Sequence, residues 1–82
     1  MSTVAVLFRV YPKDGMIDTV MQTISNSLKP VGMQAEDIAF GIKTIKILFR
    51  FDDEKTGSSI IEKSLKDLEG VDEVEVLEES LV

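Results

Sequence analysis

Thr3-Val4-Ala5-Val6-Leu7-Phe8-Arg9-Val10-Tyr11 places Val4, Val6, Phe8 and Val10 on one face of an extended chain, and Ala5, Leu7, Arg9 and Tyr11 on the other. Its β-branched and aromatic residues suit a strand with one face buried. Pro12 ends that strand, because a proline donates nothing to a sheet ladder, and Lys13-Asp14-Gly15 supplies turn chemistry. Ile17, Val20, Met21, Ile24 and Leu28 then recur at spacings of three and four, which predicts a helix over residues 16–29, stopped by Pro30. Between Gly32 and Gly41 the pattern weakens to a short or bent strand. From Ile42 to Phe51, Ile45, Ile47, Phe49 and Phe51 alternate against Thr44, Lys46, Leu48 and Arg50, which is a second clear strand.

Beyond it, Asp52-Asp53-Glu54-Lys55-Thr56-Gly57 reads as a polar turn offering acceptors to the free amides of the next helix. Ile60, Ile61, Leu65 and Leu68 form that helix's apolar stripe, and Gly70 stands where a left-handed cap belongs. Val71 to Leu77 alternates again, Val74 and Val76 opposing Glu73 and Glu75. The order strand, helix, strand, strand, helix, strand is the split βαβ arrangement of an α+β, ferredoxin-like sandwich. Right-handed crossovers put both helices on one face of a four-stranded antiparallel sheet and leave the other face open.

Composition bounds the chemistry. A chain of 82 residues buries only about 60% of its unfolded surface, so residues 1–82 are expected to form one domain. Cys and His are both absent, which removes disulfides, thiolate metal sites, thiol catalysis and the commonest general base. The start carries no signal-peptide pattern, and no stretch approaches the roughly 20 apolar residues of a membrane span, so a soluble, cytoplasmic protein without a membrane role is expected. The net charge of −6 is unevenly placed: residues 1–61 hold seven acids and seven bases, residues 62–82 eight acids and two bases. That balance repels phosphate backbones and argues against direct nucleic-acid binding.

Other functions of this fold lack their residues. With the first strand between the third and fourth, Arg9, Lys46 and Arg50 lie near Glu73 and Glu75 on the open face, an arrangement best read as solubilising cross-strand pairs. Base stacking would need aromatics on the central strands, and Tyr11 is the sole candidate. Acylphosphatase-like hydrolysis would need a phosphate-cradling loop with an arginine and a water-positioning asparagine, whereas Arg9 is in a strand and the only Asn is Asn26. Tyr11-Pro12-Lys13-Asp14-Gly15 is similar to the ligand-binding turn of ACT regulatory domains, except that two residues separate the proline from the glycine. An ACT-like small-molecule-binding module is therefore the alternative reading.

Ile38-Ala39-Phe40-Gly41-Ile42-Lys43 sets a large ring beside a glycine at a strand junction. On the residues alone the ring is either an edge of the core or an exposed anchor, since rim aromatics are favoured hot spots. The segment resembles the phenylalanine and glycine signature of the guanine nucleotide exchange domain of translation elongation factor 1-beta, in its short archaeal form. Val10-Tyr11-Pro12 with its acidic turn, the polar stretch before the second helix, and Gly70-Val71-Asp72-Glu73-Val74-Glu75-Val76 are similar as well. The resemblance covers about residues 3–82. It implies a non-enzymatic exchange factor, with no cofactor, that binds the GTPase elongation factor 1-alpha and promotes release of its GDP. It also implies a partner-binding set of Ile38, Phe40, Gly41 and Lys43 at one place and Leu81 and Val82 at the carboxyl terminus. Eukaryotic members carry a penultimate lysine that reaches toward the magnesium site, whereas this chain ends Glu79-Ser80-Leu81-Val82.

Overall fold

The computed structural model describes residues 2–54 and 57–82. Its elements are β1 (Thr3–Pro12), α1 (Ile17–Ser27), β2 (Gly32–Asp37), a short 3-10 turn (Ala39–Gly41), β3 (Lys43–Asp52), α2 (Ser58–Lys66) and β4 (Val71–Leu81). The four strands form one antiparallel sheet in the order β2-β3-β1-β4. This is the ferredoxin-like arrangement expected from the alternation of the strands.

The valines of β1 explain why the sheet closes. Val6, Phe8 and Val10 are fully buried, Val4 nearly so, and they meet Ile45, Ile47 and Phe49 of β3 on the same face. Val20 and Ile24 of α1 and Leu65 of α2 complete that core, so both helices cover one face. Phe8 and Phe49 pack edge to face, centroids 5.8 Å apart at 76°, a geometry that aligns a ring edge with the neighbouring π-cloud. Ile60, expected in the stripe of α2, is instead exposed. Ile61, Leu65 and Leu68 follow one another at spacings of four and three, and Ile60 lies about 100° around the helix from Ile61.

Helix ends are set by the backbone more than by side chains. Lys29 takes a left-handed φ of 49° just before Pro30 and donates its amide to the Ile24 carbonyl, closing α1. Gly57 caps α2 without a side-chain acceptor. The acidic turn before α2 acts locally instead: Asp52 Oδ1 accepts the Glu54 amide at 3.0 Å. Lys55 and Thr56 of that turn lie outside the described residues.

β4 runs four residues further than the alternation indicated, to Leu81. Leu7 faces Glu78 while Phe8 faces Val76, so Leu77 is an extra residue in the ladder. Such a bulge flips the sides of everything after it, which hid the rest of the strand from a period-two reading.

On the open face the charges pair differently from the expectation. Arg9 lies 3.7 Å from Glu75 of β4 and 4.0 Å from Glu36 of β2, and Lys46 lies 3.5 Å from Glu36. Tyr11 donates its hydroxyl to Glu75 at 3.3 Å. Glu36 thus takes the place expected for Glu73. Arg50 sits opposite Ala5, several residues along from the Arg9 row, and joins no ion pair among the described residues. These pairs are part-exposed and long, so Arg9→Met, which keeps the packed stem, should change unfolding free energy by less than about 1 kcal/mol in urea titration.

Candidate functional site

The β2–β3 connection decides where the aromatic ring goes. Ile38 donates its amide to the Ile42 carbonyl at 2.8 Å, and Ile42 donates to Ala39 at 3.3 Å, so the chain must reverse across Phe40 and Gly41. Both residues turn with positive φ, 62° at Phe40 (ψ 32°) and 73° at Gly41. Two successive residues of this kind mark the type I′ class of tight turn, whose usual occupants are Asn or Asp followed by Gly. Gly41 meets that demand at no steric cost. Phe40 does not, because an L-residue in the left-handed region is disfavoured by about 1–2 kcal/mol.

Phe40 nonetheless gains nothing from the fold, since its relative exposure is 99%. A strained backbone that presents a bare phenyl ring to solvent is what a contact surface looks like, not what a core edge looks like. The choice left open by the residues is therefore settled for exposure. Of the short or bent strand expected between Gly32 and Gly41, the short form is present as β2: pairing stops at Asp37 opposite Lys43, and the remainder is turn.

Beside the ring lies an open cleft of about 350 Å³, walled by Pro12, Lys13, Asp14 and Gly15 from the β1–α1 loop and by Phe40 through Lys43 from the hairpin. Both walls are held by backbone hydrogen bonds. Lys13 donates its amide to Gly70 at 2.7 Å, and its carbonyl accepts the Met16 amide at 2.9 Å. Lys13 and Lys43 are exposed, and neither joins an ion pair among the described residues. In the sequence Pro12–Gly15 reads as a turn, similar to the ligand-binding turn of ACT domains. Nothing local in it signals that it would face the phenylalanine hairpin.

The expected site residues fall into two groups. Ile38, Phe40, Gly41 and Lys43 share the hairpin, with Ile38 half-buried and the others exposed. Leu81 and Val82 stand elsewhere: Leu81 pairs with Val4, and Val82 donates its amide to Thr3 at 2.9 Å. Val4 and Pro12, beside the cleft, are separated by most of β1, roughly 26 Å of strand. The two groups therefore occupy opposite ends of a body 41 Å long. Leu81 and Val82 are both largely exposed, and the expected tail is in fact the last rung of the sheet.

Residues 5–81 match the model of the EF-1 guanine nucleotide exchange domain, which spans both ends of the molecule and the hairpin between β2 and β3. The chain belongs to this exchange-domain family. Among its relatives, elongation factor 1-beta of Aeropyrum pernix is 40% identical, over 93% of this chain and 92% of its own length. Elongation factor 1-beta of Methanococcus maripaludis strain C5 is 30% identical with complete coverage of both. That of Staphylothermus marinus is 30% identical over 93% and 92%. The family is that of archaeal elongation factor 1-beta, and membership supports a nucleotide exchange role in translation elongation.

For an exchange domain the inventory of the tip is coherent. Among the described residues no cluster of acids is placed to hold a metal, and no helix is long and apolar enough to cross a membrane. What the tip offers is a ring, two lysines and rigid backbone, the elements of contact between macromolecules.

Proposed function

We propose that this chain is the guanine nucleotide exchange factor of elongation factor 1-alpha, acting by contact alone. The observation that carries the reading is Phe40, strained and fully exposed at the end of a rigid sheet within a chain-long family match.

An exchange factor must bind the nucleotide-free GTPase more tightly than the GDP-bound one, and by linkage GDP and the factor then weaken each other's binding equally. No bond is made or broken. Accelerating release roughly a thousandfold needs about 4 kcal/mol of barrier lowering. Burying a phenyl ring in an apolar pocket contributes about 2–3 kcal/mol of binding, so Phe40 is a fitting grip. Such binding accelerates release only where it is stronger in the nucleotide-free state. The sheet supplies that difference in this reading: Phe40, with Ile38, Gly41 and Lys43 around it, holds one site of the GTPase, while the Leu81 and Val82 end bears on the nucleotide site. A body 41 Å long, with ladder hydrogen bonds throughout, transmits a push with little bending. In this reading the far end, which carries Leu81 and Val82 beside Glu78 and Glu79, works through apolar and acidic contact, displacing the segments that hold phosphate and magnesium.

The test is release of a fluorescent GDP analogue from the cognate elongation factor 1-alpha in the presence of excess GDP. The expected outcome is a release rate that rises hyperbolically with this protein to a plateau at least a hundredfold above the intrinsic rate. A rate indifferent to saturating protein would remove the proposal.

A further inference from the structure

Resting on that reading, we infer that the cleft beside Phe40 is the second half of the grip, a receptor for a carboxylate-bearing segment of the partner, with Lys13 and Lys43 as its paired charges. The ring and the cleft then work as knob and hole: Phe40 enters the partner, and an acidic side chain of the partner enters between the β1–α1 loop and the hairpin.

Charge is the first argument. The chain carries 15 acids against 9 bases, a balance that repels an acidic surface. Of the bases, Arg9, Lys46 and Lys66 are already paired with Glu36, Glu75 or Glu62. Lys13 and Lys43 instead flank one concavity, unpaired among the described residues, although Asp14 shares the lining and Asp37 lies opposite Lys43 in the ladder. Two cations against the one acid of the lining, Asp14, leave the concavity net positive beside the one fully exposed aromatic, a local inversion of sign in a molecule of net charge −6. Such inversion steers an oppositely charged surface into register.

Preorganisation is the second argument. Lys13 is bonded through its amide to Gly70 and through its carbonyl to Met16, and the hairpin is closed by two backbone hydrogen bonds. Neither wall need be ordered on binding, so little of the interaction is spent on entropy. Size is the third. A volume of about 350 Å³ is at the bottom of the range for ligand pockets, and an opening this wide suits one or two inserted side chains better than an enclosed small molecule.

The experiment compares Lys13→Glu/Lys43→Glu with a control of equal charge change, Arg50→Glu/Lys63→Glu, at exposed bases outside the cleft. Half-saturating concentration and plateau rate of GDP release are measured at several salt concentrations. Direct binding of dye-labelled protein to nucleotide-free elongation factor 1-alpha is followed by anisotropy. The cleft variant should raise the half-saturating concentration and the Kd at least tenfold, flatten their salt dependence and leave the plateau rate unchanged, while the control shifts both by less than threefold. Equal shifts in the two variants, or none in either, would overturn the inference, as would a fall in plateau rate at unchanged half-saturation. If the parent protein binds but accelerates nothing, the exchange proposal fails alone, and the anisotropy contrast still decides the cleft. Suppression of that contrast by millimolar inorganic phosphate but not by glutamate would show a phosphate site and overturn the carboxylate assignment.

Discussion

Phe40→Asn is expected to make the protein more stable and nearly inactive. Asparagine is the preferred first corner residue of a type I′ turn and tolerates the left-handed region, where Phe40 is held at φ 62°. The ring is fully exposed, so its loss costs the core nothing. Unfolding free energy should rise by about 0.5–1 kcal/mol, which for a domain of this size lifts Tm by roughly 2–8 °C. Grip moves the other way. Removing a ring worth about 2–3 kcal/mol of buried surface weakens binding roughly 30- to 150-fold. Thermal melts and GDP-release titrations on the same preparation read both effects. A stable variant with undiminished exchange would show that the ring is not an anchor, and a destabilised one would show that the turn is unstrained. Few substitutions separate the two so cleanly, because most functional residues also pack.

The second large effect lies under the cleft. Gly70 takes φ +90°, and a Cβ built there would stand 2.9 Å from Met16 Cε, 3.1 Å from Val20 Cγ2 and 3.2 Å from Met16 Cβ. The methionine tip can move. Val20 cannot do so easily, being β-branched and fully buried on α1. Gly70→Ala should therefore combine left-handed strain with overpacking and cost about 2–4 kcal/mol. That is a large share of the roughly 4–12 kcal/mol that holds a chain of this length folded. The same carbonyl that accepts the Lys13 amide is displaced, so half-saturation of exchange should rise even at temperatures where the variant is folded. Chemical denaturation of Gly70→Ala with and without Met16→Ala apportions the cost. Truncating Met16 should relieve part of the crowding and none of the dihedral strain. A loss below about 0.5 kcal/mol would mean that the α2–β4 turn relaxes freely.

The two variants mark how far local reading carries. Val4, Val6, Phe8 and Val10 identify their own buried face, because alternation is a property of neighbouring residues and needs no partner to be seen. The same holds for the α1 stripe and for the left-handed conformation of Gly70, although Gly70 stands in the α2–β4 turn, three residues beyond Asp67, which caps α2. Exposure of Phe40 was not legible in this way. Its turn carries a phenylalanine where Asn would have declared the turn type, so the residue that makes the site also conceals its geometry.

Element order, the core face of each clear strand and the family resemblance were thus determined by the sequence alone, since each depends on spacing along the chain. Tertiary structure decided what depends on juxtaposition. It brought Lys13 across from Phe40, gave Glu36 rather than Glu73 to Arg9 and Lys46, and sent Leu81 and Val82 to the far end of the sheet. Each follows from strand register, and register is fixed by long-range pairing and by two shifts in the β1–β4 ladder, at Leu77 and at Asp72, which no short window of residues contains.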